Sequence, residues 1–277
     1  MMKQEGDVRR SGILCAMAAL AAGVAAAQPS LPAGSVLNAA SFARNQAVAP
    51  GSLVSIFGTN LGTGLSQADS VPLSTSMAGT SVTFNNIPAP LLFVSHSDSG
   101  DQINAQLPWE VQGSSAQIVV TQGGRASSPS TVQLTPAAPG IFSVNFGTGQ
   151  AIAYSNSEGL IAAATGAIPG LNTKPAKIND PASLVILATG LGPVNPPVKT
   201  GANVTDGLLH QTVTTPEVLV GNVPAQVIFA GMTPQFVGVY QLNIIIAPGT
   251  PTGNAVPLQI RMGGFTSTDQ VTIAVSN

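Results

Sequence analysis

One apolar segment that indicates the fold occurs twice in the chain. Its first copy is SLVSIFGTNLG at residues 52–62, and a looser second copy is SLVILATGLG at residues 183–192. Each copy is a short apolar run rich in β-branched residues that ends in a glycine-containing turn, as is typical of a buried strand. A segment that recurs in this way calls for a search for further repeats.

Three more pairs of segments recur in the same order. They are VTFNNIPAPLLF at 82–93 and VLVGNVPAQVIF at 218–229, then Gln102-Ile103-Asn104 and Gln241-Leu242-Asn243, then Gly123-Gly124 and Gly263-Gly264. Four matches in one order predict a duplication whose copies are each about 100 residues long, the size of an immunoglobulin-like sandwich.

Both copies have the pattern of short strands separated by turns. Residues 115–122 and 256–262 are β-branched runs bounded by turn residues. Asn85-Asn86 and Gly221-Asn222 adopt positive φ at low cost, which favours tight hairpins. Outside the N-terminal leader, we find no helical periodicity in the sequence. The predicted fold is all-β, with two tandem immunoglobulin-like β-sandwiches after an N-terminal signal peptide.

The domain boundaries follow from the repeat. We expect the first sandwich at residues 36–142 and the second at residues 143–277. Residues 143–180 match neither copy. Their first part, up to Ile161, is predicted to form a hairpin that turns at Ser157-Glu158-Gly159, and the remainder has the mixed composition of a linker.

Composition excludes two classes of protein. The chain has 277 residues, 44% of them hydrophobic and 7% charged, with a formal net charge of -2. A disordered chain has low hydrophobicity and high charge, the reverse of this pattern. Only nine Lys and Arg are present, too few for the basic patch that nucleic acid requires, so no nucleic-acid partner is expected.

Residues 1–27 have the pattern of a signal peptide. Lys3, Arg9 and Arg10 precede an apolar run, and the small residues at 25–27 suit cleavage before Gln28. A retained membrane anchor is the alternative. No second apolar stretch is long enough to span a membrane, so we expect no span after leader cleavage.

The expected location is secreted or at the cell surface, with the periplasm as an alternative. Cys15, the single cysteine, lies inside the leader. Large residues precede it where a lipoprotein signal has small ones, so no lipidation is expected. The mature chain would then have neither disulfides nor thiol chemistry.

Several motifs resemble an uncharacterised bacterial family. They are NAASF at 38–42, VAPGSLVSIFG at 48–58, IPAPLLFVS at 87–95, QINAQLPWE at 102–110, APGIF at 138–142, ATGLGP at 188–193 and YQLN at 240–243. They are similar to the Solibacter-type C-terminal domain of secreted acidobacterial proteins. SIFGTNL at 55–61 also resembles the start of IPT/TIG immunoglobulin-like domains. Both resemblances imply export and an immunoglobulin-like fold, and neither implies an activity.

The residues that could carry chemistry are sparse. His96 with Asp98 or Asp101 could form part of a catalytic triad, but adjacency in sequence does not establish triad geometry, and His210 is distant. Two separated histidines cannot build a zinc site. Asp98, Ser99, Gly100 and Asp101, with Glu110, could offer oxygens to calcium, although a solvated turn is the favoured interpretation. No catalytic, cofactor-binding or metal-binding residue is therefore predicted, and no cofactor.

Two polar or aromatic features suggest binding. Gln102 and Asn104 recur in the second copy, so we interpret them as structural amides that bond to neighbouring backbone. Trp109 is the best candidate for stacking on a sugar ring, although it could equally cap the end of a sandwich. Tyr240 has the strand parity of Leu242 and is predicted to point inward.

These observations predict a non-catalytic extracytoplasmic protein that acts in binding, in adhesion or as a spacer, with an unknown ligand. The expected partner is an extracellular polysaccharide or a cell-surface protein. The alternative is a secreted hydrolase or an accessory subunit of one, which would need a cluster of acid, base or nucleophile groups. An export or assembly module is a third possibility.

Overall fold

The computed structural model describes residues 27–268 and 270–277. The predicted signal peptide, with Cys15, thus lies outside the described residues except for Ala27. Within the described residues the strands are β1 (Val36–Asn38), β2 (Leu53–Gly58), β3 (Ser66–Gln67), β4 (Ser76–Met77), β5 (Thr80–Phe84), β6 (Ile87–Pro88), β7 (Leu91–Ser95), β8 (Asp101–Gln106), β9 (Ser115–Gln122), β10 (Arg125–Ala126), β11 (Ser130–Gln133), β12 (Gly140–Ile141), β13 (Thr148–Gln150), β14 (Ala153–Ser155), β15 (Ala176–Lys177), β16 (Leu184–Thr189), β17 (Val194–Asn195), β18 (Gln211–Thr212), β19 (Glu217–Val220), β20 (Val223–Met232), β21 (Tyr240–Ile245), β22 (Gly253–Met262), β23 (Phe265–Thr266) and β24 (Gln270–Ser276).

Residues 27–135, which we call the N-terminal half, form two sheets. One has the strand order β1-β2-β8-β7-β3 and the other has the order β10-β9-β5-β4, with β11 beside β9. Every second residue of β5 is buried. Val82 and Phe84 face a core that includes Ile56 and Ile103 of the opposite sheet. The half is therefore a sandwich in which alternating strand positions supply the core.

Residues 136–277, the C-terminal half, enclose a second core. Its strands follow the order β12-β16-β21-β20-β19-β22-β24-β13. The ten-residue strand β20 pairs with β19 near its start and with β21 over its later part, and so links two layers. Ile186 and Leu242 of one layer and Ile260 of the other are fully buried in this core.

The strand order is the same in both halves. The order β2-β8-β7-β3 of the N-terminal half recurs as β16-β21-β20-β18, and the order β5-β9-β11 recurs as β19-β22-β24. The described residues contain strands and turns but no helix. The predicted all-β, immunoglobulin-like fold is confirmed, and the repeat in sequence is a repeat in topology. The domain boundary after residue 142 stays a prediction.

Turns and hairpin ends repeat in detail. Asn85 and Asn86 have φ of 48° and 64°, and Gly221 and Asn222 have φ of 57° and 65°, as predicted for tight hairpins. β9 has the predicted bounds, whereas β22 begins three residues before the predicted Val256.

A serine closes the second hairpin of each half in the same manner. Val120 N–H donates to Ser127 Oγ at 3.1 Å, and Ile260 N–H donates to Ser267 Oγ at 3.0 Å.

The register corrects one detail of the sequence repeat. Ile56 pairs with Ile103, and Ile186 pairs with Leu242. Because Ile103 and Leu242 are the central residues of the two Gln-x-Asn motifs, Ile56 corresponds to Ile186. Matching Ser52 with Ser183 was therefore wrong by one residue, since it aligned identical letters instead of the strand register.

A β-bulge also repeats. The pairing of β7 with β8 shifts register between Leu91 and Phe93, and the pairing of β20 with β21 shifts between Val227 and Phe229. The extra residues are Leu92 and Ile228. A bulge breaks the alternation of strand faces, so an apolar residue that the core does not need points outward.

Residues 143–180 are part of the C-terminal half's sheets. The predicted turn forms, and Tyr154 bridges Ile161 across it. β13, however, pairs in parallel with β24, while β14 pairs with β16, so the two strands join different layers. The expected linker likewise contains β15, which pairs with β24. β12, before residue 143, pairs with β16.

Candidate functional site

The two halves meet through a buried relay of hydrogen bonds. The backbone N–H of Leu53 donates to Thr189 Oγ1 at 3.0 Å, and the Thr189 hydroxyl donates to the carbonyl oxygen of Gly238 at 2.7 Å. One hydroxyl of the C-terminal half therefore joins β2 to the segment before β21. Buried polar groups that satisfy one another fix position, because separating them leaves unpaired donors and acceptors.

Gln106 forms a second tie. Its side chain is fully buried. Its Oε1 accepts from the N–H of Gly201 at 2.7 Å, and its Nε2 donates to the Gly51 carbonyl at 3.2 Å. The Gly201 carbonyl in turn accepts from the N–H of Leu73 at 2.8 Å. The loop after β17 is thereby held against two segments of the N-terminal half.

Asn38 forms a third tie at the end of β1. Its Nδ2 donates to the Ala138 carbonyl at 2.8 Å, while its Oδ1 accepts from the N–H of Ala40 at 2.9 Å. The chain approaches closely here. Gly190 has φ of 79°, and a Cβ at this position would overlap the Ala138 carbonyl oxygen. Only glycine fits both the conformation and the space.

Trp109 lies at the same junction. Its ring covers the bare α-carbon of Gly51 and packs against the core of the C-terminal half. Its backbone N–H donates to Thr200 Oγ1 at 3.0 Å, and the Thr200 hydroxyl donates to Glu110 Oε2 at 2.7 Å. Trp109 therefore fits the end-cap alternative better than the sugar-stacking interpretation.

The halves do not close completely, and a cleft of about 590 Å³ lies between them. Three of its lining residues have polar side chains, namely Asp69, Ser70 and Gln235. The other lining residues are apolar: Leu53, Ala68, Val71, Leu73, Leu92, Phe142, Ile152, Leu187, Phe236, Val237 and Val239. Pockets of this size with apolar walls and few polar groups are the usual form of small-molecule sites.

Strand geometry directs these side chains into the cleft. Leu92 points outward because of the bulge in β7. Leu187 points outward because its neighbours Ile186 and Ala188 face the core. Val71 and Phe236 are 44% and 53% exposed, and they leave apolar surface in contact with solvent.

A second concave region, which we call the polar groove, runs beside the junction. It consists of two hollows of about 260 and 270 Å³ that share Gln46. Hydroxyl and amide side chains line it: Ser35, Asn38, Ser41, Asn45, Gln46, Ser130, Thr131, Gln133, Thr135, Thr266 and Thr268. None of its described lining residues is charged. The hydroxyls of Ser35 and Thr135 are buried and have no hydrogen-bond partner among the described residues.

His96 lies on the loop between β7 and β8. Its Nδ1 is 2.7 Å from Asp101 Oδ1. Asp101 is 2% exposed, and its Oδ2 accepts from the N–H of Leu61 at 2.6 Å. The favoured interpretation of Asp101 as part of a solvated turn was therefore wrong. Its strand parity with buried Ile103 was a signal that could have revealed this.

Among the described residues of this loop, no serine hydroxyl hydrogen-bonds to His96 to complete a triad. The Ser97 hydroxyl donates to the Gly100 carbonyl at 2.7 Å. The His–Asp pair instead closes the loop onto the turn after β2.

His210 is buried, which the sequence did not indicate. Its Nδ1 is 2.7 Å from the Pro196 carbonyl, and its Nε2 is 3.0 Å from Asp206 Oδ2. Hydrogen bonds from the Leu208 N–H and from His210 lower the pKa of Asp206 below its usual value. These bonds hold together the two ends of the loop that connects β17 to β18.

The amide pairs have the predicted structural role, with different partners. Gln102 Nε2 donates to Asn104 Oδ1 at 2.8 Å, and Gln241 Nε2 donates to Asn243 Oδ1 at the same distance. The amides bond to each other where bonds to backbone were expected. Tyr240 is fully buried, as predicted, and its hydroxyl donates to the Gly192 carbonyl. Burial raises the pKa of Tyr240.

Over residues 27–268 and 270–277, no group of three His, Cys, Asp or Glu side chains is placed to hold a metal ion. The same ranges contain no helix with the length and hydropathy needed to cross a membrane.

Part of the chain is similar to a known domain family. Residues 40–136 match the IPT/TIG domain. This IPT/TIG region coincides with most of the N-terminal half, so the resemblance of SIFGTNL to such domains is confirmed. No curated protein matches the chain.

Three solved structures that are similar to this chain have low sequence identity to it. One is the Bacteroides ovatus mixed-linkage glucan utilization locus protein SGBP-B in complex with a heptasaccharide, at 13% identity and a TM-score of 0.31, covering 83% of this chain and 43% of that chain. Another is the I9–I11 tandem of titin, at 12% identity and a TM-score of 0.22, covering 90% of this chain and 66% of that one. Domains 5–6 of the S-layer protein SbsC show 12% identity and a TM-score of 0.24, with coverage of 90% and 99%. The chain spans less than half of the SGBP-B chain.

Proposed function

We propose that this protein is a non-catalytic extracytoplasmic spacer whose two halves form one rigid body, secreted or held at the cell surface. The observation that carries the proposal is the buried relay from Leu53 through Thr189 to Gly238. Independent domains on a flexible linker do not bury hydrogen bonds between them in this way, because interfaces of mobile domains are exposed and polar.

Rigidity is supported by the placement of the ties. The relay through Thr189, the Gln106 amide and the Asn38 amide join different pairs of segments. Fixing two bodies at three separate points removes their relative rotation. The connection is also short, since β11 ends at Gln133 and β12 begins at Gly140.

The non-catalytic proposal rests on how the titratable groups are used. His96 and His210 each bond to a carboxylate that closes a loop. Lys174 bonds to Glu158, and Arg261 bonds to Glu217, both at the surface. A hydrolase, the alternative, would need a nucleophile and a base in one concave site. Apart from Asp69 and its neighbour Ser70 in the cleft, the two concave sites described above are lined by apolar residues or by neutral amides and hydroxyls, and no histidine or lysine is among their described lining residues.

Distance measurements between spin labels test the rigid junction. Labels at Ser99→Cys and Ser157→Cys, on exposed loops of different halves, are attached in a Cys15→Ser background. We expect one narrow distance distribution. In Thr189→Val, which removes the relay hydroxyl, the distribution should broaden.

Thr59→Val is the matched control, because Thr59 is the exposed counterpart of Thr189 in the repeat. It should leave the distribution narrow. A broad distribution in the unmodified junction would show that the halves move independently and would contradict the spacer proposal.

A second candidate function is recognition of an extracellular polysaccharide by the polar groove. It is favoured by the uncharged lining, because hydroxyls and amides match the donors and acceptors of neutral sugars. The side chains of Gln46 and Gln133 have no hydrogen-bond partner among the described residues and are exposed at the groove. A cell-surface protein is the alternative partner.

Affinity electrophoresis in gels that contain neutral polysaccharides tests this candidate. We expect retardation that Gln46→Ala combined with Gln133→Ala abolishes and that Gln67→Ala, an exposed amide on β3, leaves unchanged. Equal retardation of all three proteins would exclude the groove.

A further inference from the structure

We propose that the cleft between the halves binds an amphiphile with a long apolar tail and a positively charged head group, of the class of long-chain amines. This site goes beyond the spacer role, which needs no ligand.

The cleft is too large to be a packing defect. Its 590 Å³ would hold about 20 water molecules at the roughly 30 Å³ that each occupies in the liquid. Apolar walls offer such water few hydrogen bonds, so displacing it with hydrocarbon is favourable. The volume also lies within the range of pockets that hold drug-sized ligands.

The walls come from both halves, which the buried relay ties together. Leu53 and Leu92 belong to strands of one sheet, and Leu187 belongs to a strand of the other half. The relay through Thr189 begins at Leu53 itself, so the cleft has a fixed width. A preformed apolar slot favours a chain or ring that fills it, because little order must be gained on binding.

Charge selects the head group. Asp69 is the charged residue among those that line the cleft, and its Oδ1 accepts a hydrogen bond from the adjacent Ser70 hydroxyl at 3.0 Å. No Lys, Arg or His is among the described lining residues. A carboxylate at the mouth attracts a cation and repels a fatty acid. Because Asp69 is exposed, this preference should amount to several-fold and not to orders of magnitude.

The repeat supplies a matched pair of positions for the test. Leu92 and Ile228 are the extra residues of the same bulge in the two halves. Leu92 lines the cleft, whereas Ile228 is 54% exposed and lies outside it. A large side chain at Leu92 should fill the cleft, and the same side chain at Ile228 should not.

The experiment measures displacement of the neutral fluorophore N-phenyl-1-naphthylamine from the full chain. Dodecylamine, dodecanol and dodecanoate are added below their micelle concentrations. We expect saturable fluorophore binding and displacement in the order amine, alcohol, acid, with the amine several-fold stronger than the acid. Leu92→Trp should reduce amine binding at least tenfold, and Ile228→Trp should leave it unchanged.

Asp69→Lys keeps the test decisive if Leu92→Trp does not fold, since Asp69 is on the surface. It should reverse the order, so that dodecanoate binds more tightly than dodecylamine, while Asp98→Lys has no effect. Absence of saturable binding, equal losses in both Trp variants, or a preference for the acid in the native chain would overturn the proposal. A dimer that dodecylamine dissociates would also overturn it, in favour of a second copy as occupant. The spin-label distances are independent of all these results, so the spacer proposal is tested separately.

Discussion

Asp101 and Tyr240 occupy corresponding positions in the two halves. Each ties its strand to a turn by a side-chain hydrogen bond, in which Asp101 is the acceptor and Tyr240 is the donor. Each is the first residue of its strand and immediately precedes the Gln of a Gln-x-Asn pair, and each is buried. Asp101 accepts from the N–H of Leu61, whereas Tyr240 donates to the Gly192 carbonyl.

The comparison separates what the fold requires from what it leaves open. The sandwich needs a tie between the start of this strand and the Leu-Gly turn that follows the preceding strand in the sheet. A carboxylate that accepts and a phenol that donates both satisfy it. Strand order and hairpin turns are kept between the halves, while the side chain that makes this tie differs.

The largest expected effect comes from exchanging residues at the turn itself. Asn60 and Gly190 are counterparts with φ of 58° and 79°. Asn tolerates this conformation, but at Gly190 its Cβ would overlap the Ala138 carbonyl. We expect Gly190→Asn to lower the free energy of unfolding by about 3 kcal/mol, as overpacking does. Denaturant titration measures this.

The reciprocal exchange is the control. Asn60→Gly meets no crowding and should change the free energy of unfolding by less than about 0.5 kcal/mol. Equal effects of the two exchanges would show that backbone conformation matters here and the close approach of the Ala138 carbonyl does not.

Removing the acceptor of the N-terminal half should have the next largest effect. Asp101→Ala leaves the Leu61 N–H buried and unpaired and frees His96. We expect a loss of about 2 kcal/mol in unfolding free energy, within the range for a charged hydrogen bond. Asp98→Ala, on the exposed part of the same loop, should be neutral in the same denaturant titration.

The donor of the C-terminal half should contribute less, because its tie is neutral. Tyr240→Phe keeps the ring and removes the hydroxyl that bonds to Gly192. We expect a loss of about 1 kcal/mol in thermal or denaturant unfolding. Tyr154→Phe is the control, since Tyr154 is half-buried and its hydroxyl has no hydrogen-bond partner among the described residues. If Tyr240→Phe lost more unfolding free energy than Asp101→Ala, the expected order of the two ties would be wrong.

The smallest effect concerns the hydrogen-bonded pair of Asp206 with His210 in the C-terminal half. The folded state lowers the pKa of Asp206 from 3.8, so the ionised form stabilises the protein above that pH. This contribution declines as the pH falls below about 3.8 towards the lowered pKa. The difference in melting temperature between the native chain and Asp206→Asn should therefore be small at pH 6 and should shrink towards pH 3. A difference in melting temperature that grows on acidification would contradict a stabilising role for the ionised Asp206.

Sequence predicted the features that depend on local pattern. The strand of residues 115–122, the Asn85-Asn86 hairpin and the inward Tyr240 each follow from periodicity or turn chemistry within a few residues. The Gln-x-Asn pairs were assigned a structural role because they recur, although their mutual bonding depends on side-chain geometry that spacing alone does not define.

The features that sequence missed depend on distant contacts. Asp101 appeared polar and solvated because its neighbours Ser99 and Gly100 form a turn, and the burial of His210 depends on Pro196 and Asp206. The cleft arises where Leu92 faces Leu187, nearly a hundred positions apart, through a bulge that leaves no residue type as a marker. Trp109 suggested a binding surface because aromatic residues often do, yet its ring covers Gly51.

Calorimetric unfolding of the full chain tests most directly whether the halves form one body. If the relay through Thr189 and the ties at Gln106 and Asn38 couple the halves, the native chain unfolds in one transition, with equal calorimetric and van't Hoff enthalpies. In Thr189→Val, which lacks the relay hydroxyl, we expect the single transition to broaden towards separate unfolding of the two halves. Two resolved transitions in the native chain, unaltered by Thr189→Val, would contradict a rigid junction.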